Sequence, residues 1–280
     1  MSDFFDENDH TKPSWNELPA AIASDPAQTL THVAISIPNL RALADGIFHQ
    51  PIDDCLLGQA LELVGQCKAI DSKLIDWFNT TPQEWAWMVV RGHLVVPSGI
   101  DGYLFESCPN LNQYHVYKDV WLSNLFNDYR ILRIYVNAII LRCGAWLMGC
   151  SLAELDLQDK TRNMIHLSDC VQAKNATLAL MDDICCSIPY HLGAIQTHIT
   201  PSQHGSPAGL SPPPLGPFFT VRALRVAMSM TIAPVSQRRW AQEVLMIVGK
   251  RFGVNIATVL ASAKATNKLP MFDPSEQCTV

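Results

Sequence analysis

The middle of the stretch from Asn112 to Gly149 is apolar on nearly every side when arranged as a helix, and no other stretch limits the fold so strongly. A helix that is hydrophobic all round must be enclosed by other elements. We therefore predict the longest helix of the chain here, either continuous or broken near Leu122 to Asn127. Its longest uncharged apolar run, Ile134 to Leu141, is far shorter than the roughly 20 residues that cross a bilayer, so we predict no membrane span.

Apolar residues recur at helical spacing in most of the remaining sequence. The predicted helices cover Pro38 to Phe48, Asp53 or Asp54 to about Phe78, Asp156 or Asp159 to Ser187, Phe218 to Ile232, Ser236 to Gly253, and Asn255 to about Lys264. A short helix carrying Trp85 and Trp87 is predicted after Pro82. Residues 92–108 are predicted to be irregular, with a brief strand at 94–96 left open. The pattern indicates an all-α fold, a single helical domain of about eight to ten helices.

Two proline-rich segments are predicted to lie outside the helices. Residues 1–31 are acidic and have no sustained periodicity, which predicts an extended or partly disordered N-terminal arm. Residues 200–217 contain six prolines and three glycines, which predicts a surface loop. The remainder, residues 32–280, is predicted to form the single all-α domain.

The charge balance argues against nucleic acid as a partner. The chain has 26 acidic and 20 basic residues, a formal net charge of −6, and no run of lysine or arginine. Binding to phosphate groups requires a concentrated positive surface. The first ten residues are acidic and lack the features of a secretory signal, which predicts a cytoplasmic location.

The nine cysteines are predicted to be reduced thiols, because their number is odd and their spacing is irregular. No Cys-x-x-Cys pair is present, and the spacing of Cys185, Cys186, His191, His198 and His204 matches no common metal motif, so we predict no metal site. Phosphate-loop, dinucleotide-binding and Gly-x-Ser-x-Gly motifs are absent from the sequence as well. We therefore predict no cofactor and no hydrolase, kinase or redox enzyme of a familiar type.

The segment Asp182–Gly193 combines two acids, two thiols, a tyrosine and an imidazole around Pro189. Proline cannot donate a backbone hydrogen bond and disfavours helix at the preceding residue, which predicts that the helix ends at Pro189. Tyr190 and His191 would then lie at a bend. They either line a pocket, where histidine serves as an acid, a base or a donor, or they pack and cap the helix end.

Polar residues interrupt the long apolar helix between Asn127 and Arg133. A buried arginine requires an acidic partner, and Asp182 and Asp183 are the natural candidates. Two interpretations remain open. Either an arginine-aspartate pair holds two helices in register, or Arg133 and Tyr129 face a cavity and donate to a ligand carbonyl or carboxylate.

Bulky aromatic side chains leave a further choice open. They either fill the core or line an apolar cavity suited to a polycyclic or polyene ligand. The residues concerned are Trp85, Trp87, Trp121, Phe126, Trp146, Phe218 and Phe219.

Three short motifs follow one another along the chain. The segment from Asn127 to Ile134 has the form Asn-x-Tyr-Arg-x-x-Arg-Ile, and Asp183–Gly193 is similar to Asp-Ile-Cys-Ala-Ser-Val-Pro-Tyr-His-Leu-Gly. The third motif comprises Arg238, Trp240, Ile247, Gly249 and Gly253. Together, from about Pro38 to Ala263, the chain resembles the large C-terminal regulatory region of fungal binuclear zinc-cluster transcription factors.

This resemblance implies a helical domain with a regulatory or ligand-sensing role. The chain departs from the family at residues 218–223, where relatives usually carry the sequence leucine-tryptophan-proline. Any site that these three residues line in the relatives is therefore altered here. The six-cysteine zinc cluster of the DNA-binding relatives is also absent from this sequence. We therefore expect that the chain does not bind DNA as they do.

Two functions are compatible with these features. The first is an enzyme of fungal secondary metabolism that binds an apolar natural-product intermediate and catalyses a cofactor-free cyclisation, of Diels-Alder or related pericyclic type. Such a reaction needs only a shaped cavity and a hydrogen bond to a carbonyl. The predicted catalytic residues are Arg133, Tyr190 and His191. The predicted substrate-binding residues are Trp121, Phe126, Tyr129, Asp183, Phe218 and Phe219.

The alternative function is a regulatory or ligand-sensing protein that makes no DNA contacts and partners with intact zinc-cluster transcription factors. Such a protein would be nuclear. We favour the enzyme, because the sequence has neither a basic patch nor a coiled-coil seam. The oligomeric state stays open, a homodimer included.

Overall fold

The structure, a computed structural model, describes residues 26–91, 113–149, 167–194 and 215–263. These residues form eight α-helices, one 3-10 turn and a two-stranded sheet. In chain order they are α1 (Pro26–Ala34), α2 (Ile37–Phe48), α3 (Asp54–Asn79), the 3-10 turn Gln83–Trp85, β1 (Met88–Arg91), β2 (Gln113–Val116), α4 (Val120–Met148), α5 (Leu167–His191), α6 (Gly216–Ser229), α7 (Val235–Phe252) and α8 (Asn255–Ser262). The prediction of an all-α fold is confirmed.

Helix α3 begins where the sequence predicts, because Asp53 caps it. The carboxylate of Asp53 accepts a hydrogen bond from the backbone N–H of Leu56 at 2.7 Å, which satisfies one of the free N–H groups of the first turn. The buried face of α3 then packs against α1, α2 and α4. It comprises Leu56, Ala60, Leu63, Val64, Cys67, Leu74 and Trp77.

The predicted N-terminal arm is wrong in its last part, because residues 26–31 belong to α1. Leu30 is buried in the core, and the indole N–H of Trp77 donates to the carbonyl of Pro26 at 2.6 Å. These contacts fix a segment whose local sequence has little periodicity of its own. Residues 1–25 lie outside the described residues.

The sheet consists of β1 and β2, which pair antiparallel with Met88 opposite Val116 and Arg91 opposite Gln113. The sequence predicts helix for residues 113–116, and this is wrong. Tyr114, His115 and Val116 are buried, and aromatic and β-branched side chains suit such a pleated surface. The predicted irregular segment 92–108, with its option of a strand at 94–96, lies outside the described residues.

Helix α4 is continuous and is not broken near Leu122 to Asn127, the alternative that the sequence left open. It begins after Asp119, whose carboxylate accepts from the N–H of Leu122 at 2.9 Å, and ends at Gly149 in the left-handed conformation with φ 63°. By length and composition it is apolar enough to cross a membrane, but 72% of its most apolar 18-residue window is buried inside the protein. Packing against α2, α3, α5 and α6 accounts for its apolar surface.

Helix α5 continues past Pro189 to His191, so the predicted end at Pro189 is wrong. A proline this close to a helix C-terminus removes only one backbone bond, while the N–H of Leu192 still bonds the carbonyl of Ile188. The chain turns instead at Gly193, with φ 68°. Tyr190 and His191 therefore lie in the last helical turn. The predicted start of this helix, at Asp156 or Asp159, lies outside the described residues.

Helices α6, α7 and α8 pack against one another, and α6 also contacts α4 and α5. The predicted loop 200–217 is wrong at its end, because Gly216 and Pro217 form the first turn of α6, a position that proline tolerates. Residues 195–214 lie outside the described residues. Helix α7 ends at Gly253, with φ 71°, as the sequence predicts.

Candidate functional site

A row of polar side chains runs between α4 and α5 inside the core. Ser123 contacts His191, Asn127 contacts Ser187, and Arg130 faces Asp183, because the two helices are antiparallel and present one polar residue per turn to each other. All of them are buried except Asp183. The term polar seam is used below for these six residues, Ser123, Asn127, Arg130, Asp183, Ser187 and His191.

The guanidinium of Arg130 is the permanent charge of the polar seam, and its side chain is only 1% exposed. Its Nη1 donates to Oδ1 of Asn127 at 2.8 Å and to the hydroxyl of Tyr117 at 3.0 Å. Its Cζ lies 4.8 Å from the ring centre of Trp87 in a cation–π contact. Oδ2 of Asp183 is 3.9 Å from Nε, beyond hydrogen-bond distance. Neutral groups therefore hold the cation, and the carboxylate compensates it from further away.

Asn127 fixes the tautomer of His191. Because Oδ1 of Asn127 accepts from Arg130, its amide NH2 faces Oγ of Ser187 at 3.0 Å and Nε2 of His191 at 3.3 Å. An NH2 group only donates, so Nε2 accepts and the ring proton lies on Nδ1. Burial, and then the charge of Arg130, lower the pKa of His191 to about 3, while the backbone of Gly216 acts in the opposite direction. The imidazole is therefore neutral at physiological pH.

His191 also carries an unsatisfied polar atom. Its Nε2 lies 2.8 Å from Oγ of Ser123, but no residue in the described part of the chain gives its buried Nδ1 a hydrogen bond of good geometry. The backbone of Gly216 lies near the ring and raises its pKa, so this donor is poorly satisfied, and a poorly satisfied buried donor costs free energy. This atom is therefore a candidate contact for a bound molecule.

Strand β2 and the residue after it bring two more rings to the polar seam. Nδ1 of His115 lies 3.2 Å from the hydroxyl of Tyr117 and 3.4 Å from Nη2 of Arg130. Burial, and then the charge of Arg130, lower the pKa of His115 to about 3, and burial raises the pKa of Tyr117 to about 12. Both side chains are therefore neutral at physiological pH.

Aromatic rings form one wall beside Arg130. The ring centres of Trp87 and Phe126 are 4.9 Å apart, and Tyr190 packs edge-on against Tyr117 at 5.4 Å. Phe126 is buried in this wall, whereas Tyr190 is half-buried. Two of the predicted site residues, Phe126 and Tyr190, thus pack against the rings of Trp87 and Tyr117, which contact the guanidinium of Arg130.

Arg133 and Tyr129 lie on a different face of α4. Nε and Nη2 of Arg133 donate to the two carboxylate oxygens of Asp71 at 2.7 and 2.9 Å, and Nη1 donates to the hydroxyl of Tyr129 at 3.2 Å. Of the two arginines in this stretch, Arg130 is therefore the one that faces Asp183, at 3.9 Å, and Arg133 pairs with Asp71. Arg133 thus forms an ion pair that joins two helices, and the second helix is α3.

The predicted residues Trp121, Phe218 and Phe219 lie at the starts of α4 and α6, near the His191 end of the polar seam. Trp121 is 64% exposed and Phe218 is 55% exposed. The rings of Trp121 and Phe219 contact each other, with 5.1 Å between their centres. These residues form an apolar patch on the surface and do not enclose Arg130.

Sequence reasoning missed several members of the site. The sequence does not single out Ser123, Ser187, His115 or Tyr117, and it indicates Trp87 only as one of several aromatic residues. The spacing along the helices could have identified the two serines. Ser123 is four residues from Asn127, and Ser187 is four residues from His191, so each pair lies on one helix face. The contribution of His115 and Tyr117 depends on the unpredicted strand β2.

The described residues do not suggest a metal centre. Within residues 26–91, 113–149, 167–194 and 215–263, no three histidine, cysteine or acidic side chains come together in a group that could hold a metal ion. The six cysteines in this part of the chain are free thiols. Burial raises the pKa of Cys67, Cys143 and Cys186 to about 12, which makes these thiols poor nucleophiles.

The chain is similar to the transcription factor dbaG of Emericella nidulans. The two sequences are 24% identical over 245 residues, which cover 84% of this chain and 52% of dbaG. The chain thus spans about half the length of that relative. No family model matches the chain. No solved structure matches it either. The similarity supports a transcription-factor-like relationship, at a level too low to assign a family.

Proposed function

We propose that the chain binds a largely apolar small molecule beside the polar seam, and that this binding regulates transcription. The observation that carries the proposal is the buried guanidinium of Arg130, which neutral groups and an aromatic wall hold in place. Ligand sites in proteins are mostly apolar, with a few fixed polar groups that orient the bound molecule. Arg130, His115 and His191 would be those groups here.

The regulatory part of the proposal rests on the similarity to dbaG, whose name describes a transcription factor. In this proposal the ligand changes the packing of α4 against α5, because the polar seam lies between these two helices. A regulator of this kind would act in the nucleus, together with intact zinc-cluster transcription factors.

The second candidate is the cofactor-free cyclisation of an apolar natural-product intermediate, of Diels-Alder or related pericyclic type. It is favoured by one specific feature, a cationic donor held by neutral partners next to aromatic faces. Such a donor can polarise a carbonyl and stabilise the charge that develops in the transition state. Arg133 is engaged with Asp71, so Arg130 takes the donor role in this candidate, with Tyr190 and His191 beside it. An enzyme of this type would be cytoplasmic.

One experiment tests both candidates. The purified chain is incubated, without added metal or nucleotide, with an extract from a fungal strain in which its gene has been deleted, and is then separated from unbound compounds. A compound that stays bound with unchanged mass and chromatographic retention supports a sensor. A product with the same mass but a new retention time supports a cyclisation, because ring closure without loss of atoms is an isomerisation.

Two arginine variants make the experiment specific. Arg130→Met removes the proposed donor, whereas Arg222→Met removes an arginine that pairs with Asp128 at the surface. Melting curves first establish that each variant is folded. If folded Arg130→Met still retains the compound or still converts it, the proposed site is contradicted. Equal loss of binding or turnover in Arg222→Met would contradict it as well.

A further inference from the structure

Two N–H groups converge on the carboxylate of Asp183 without bonding it. Nε of Arg130 is 3.9 Å from Oδ2, and Nε2 of His115 is 3.8 Å from Oδ1. Hydrogen bonds between nitrogen and oxygen are about 2.7 to 3.2 Å long. Each nitrogen is therefore about 1 Å too far from the oxygen that it faces.

The ring proton of His115 lies on Nε2, the nitrogen that faces the carboxylate of Asp183. Its Nδ1 lies 3.4 Å from Nη2 of Arg130, and a guanidinium can only donate. Nδ1 must then be the acceptor, which leaves the ring proton on Nε2. Because its pKa is lowered to about 3, His115 is neutral and carries this single proton. Arg130 and His115 thus offer two parallel donors to one anion.

The charge of Arg130 is incompletely compensated inside the protein. Its hydrogen-bond partners in the described residues, Asn127, Tyr117 and His115, are all uncharged. The carboxylate that faces it, Asp183, is 40% exposed and makes no direct hydrogen bond to it. Buried ions are normally stabilised by a directly hydrogen-bonded counterion. A second anion that approached about 1 Å closer than Asp183 would meet both donors at bonding distance.

The side chain of Asp183 is not enclosed by the protein, because 40% of it is exposed. It extends from α5 toward solvent, and the adjacent Asp182 repels it. The rings of Trp87 and Tyr117 contact Arg130, and Tyr190 packs edge-on against Tyr117. Trp87 and Tyr190 are only partly buried, and their aromatic faces suit an apolar ligand body. An anionic head at Arg130 with an apolar tail along these rings therefore matches the chemistry of the site.

Building on the proposed small-molecule site, we propose that the ligand is an apolar carboxylic acid whose carboxylate displaces Asp183 and binds Nε of Arg130 and Nε2 of His115. Asp183 then acts as an internal competitor that occupies the anion position when the ligand is absent. This assignment names the ligand class for both candidate functions.

The test uses the full chain with cis-parinaric acid and its methyl ester, two fluorescent probes with the same polyene chain, of which only the acid carries a charged head group. We expect the acid to bind about tenfold more tightly than the ester or better, because only the acid pairs with Arg130. We expect Asp183→Asn to tighten acid binding severalfold by removing the competing charge, and to change ester binding much less. Asp128→Asn is the matched control, since it removes a carboxylate that pairs with Arg222 instead.

The outcomes separate this inference from the proposed function. If acid and ester bind equally, the carboxylate assignment is wrong while the small-molecule site stands. If Asp183→Asn weakens acid binding, or if Asp128→Asn tightens it equally, displacement of Asp183 is wrong. If neither probe binds the folded chain, both the inference and the proposed apolar site are contradicted.

Discussion

Asp71 and Arg133 form a two-point ion pair between α3 and α4, with oxygen-nitrogen distances of 2.7 and 2.9 Å. Both side chains are largely buried, at 17% and 15% exposure. Asn137 donates to the same carboxylate at 3.1 Å. The pair joins positions 62 residues apart in sequence and so fixes how the two longest helices pack.

Replacing Asp71 should therefore destabilise the fold. Asp71→Ala leaves the guanidinium of Arg133 buried without its counterion, and we expect the free energy of unfolding to fall by about 3 kcal/mol. Urea unfolding followed by circular dichroism measures this change. Asp45→Ala is the control, because Asp45 is 39% exposed and pairs with Arg142 nearer the surface, where such pairs contribute under about 1 kcal/mol. Equal losses in the two variants would contradict a structural role for the buried pair.

Stability should also decrease below neutral pH because of His115 and His191. The pKa of each is lowered in the folded state to about 3, whereas an unfolded histidine titrates near 6.5. Protons therefore bind preferentially to the unfolded chain, so the stability contribution is complete above about pH 6.5 and is lost as the pH falls toward 3. Between pH 7.5 and 5.5 we expect a loss of about 3 kcal/mol from the two residues together.

Urea unfolding across this pH range, with three variants, measures the effect. His115→Gln and His191→Asn should each remove about half of the pH dependence, and the double variant should remove nearly all of it. The range stays above pH 5.5 because burial raises the pKa of Asp128 and Asp183, which acts in the opposite direction at lower pH. A pH dependence that persists in the double variant would assign it to other groups.

Two predicted ligand-contacting aromatics should differ sharply in their effect on stability. Phe126 is buried at 1% exposure, so Phe126→Ala should cost about 4 kcal/mol through lost burial and a cavity. Trp121 is 64% exposed, so Trp121→Ala should cost less than about 1 kcal/mol. Thermal melting of the two variants compares them. A large loss in Trp121→Ala would show that the surface patch has a packing role.

The helices that the sequence predicts correctly carry their own boundary signals. Asp53 caps α3, Gly149 ends α4 and Gly253 ends α7, and each acts through its own backbone or its nearest neighbours. The end of α5 was misplaced because Pro189 is a strong local signal. Tertiary packing of the buried residues Ile188 and His191 kept the helix going past it.

The candidate site was harder to predict because its contacts join distant residues. The polar residues between Asn127 and Arg133 were visible in the sequence, but local spacing cannot tell which arginine meets α5 and which meets α3. That choice depends on the rotation of α4 between its neighbours, which places Arg130 toward Asp183 and Arg133 toward Asp71. His115 could not be placed at all without β2, whose four residues give too short a pattern.

The close crossing of α7 and α8 gives a final prediction. A Cβ atom added to Gly249 would overlap the hydroxyl of Thr258 and lie 2.7 Å from its backbone nitrogen, so the helices would have to separate. We expect Gly249→Ala to lower the free energy of unfolding by about 2 kcal/mol. Gly58→Ala is the matched control, because Gly58 lies in α3 with nothing within 4 Å of an added Cβ, and alanine should there add about 0.5 to 1 kcal/mol of helix stability. Urea unfolding should thus give changes of opposite sign, and a stabilised Gly249→Ala would mean that α8 does not pack against α7 in solution.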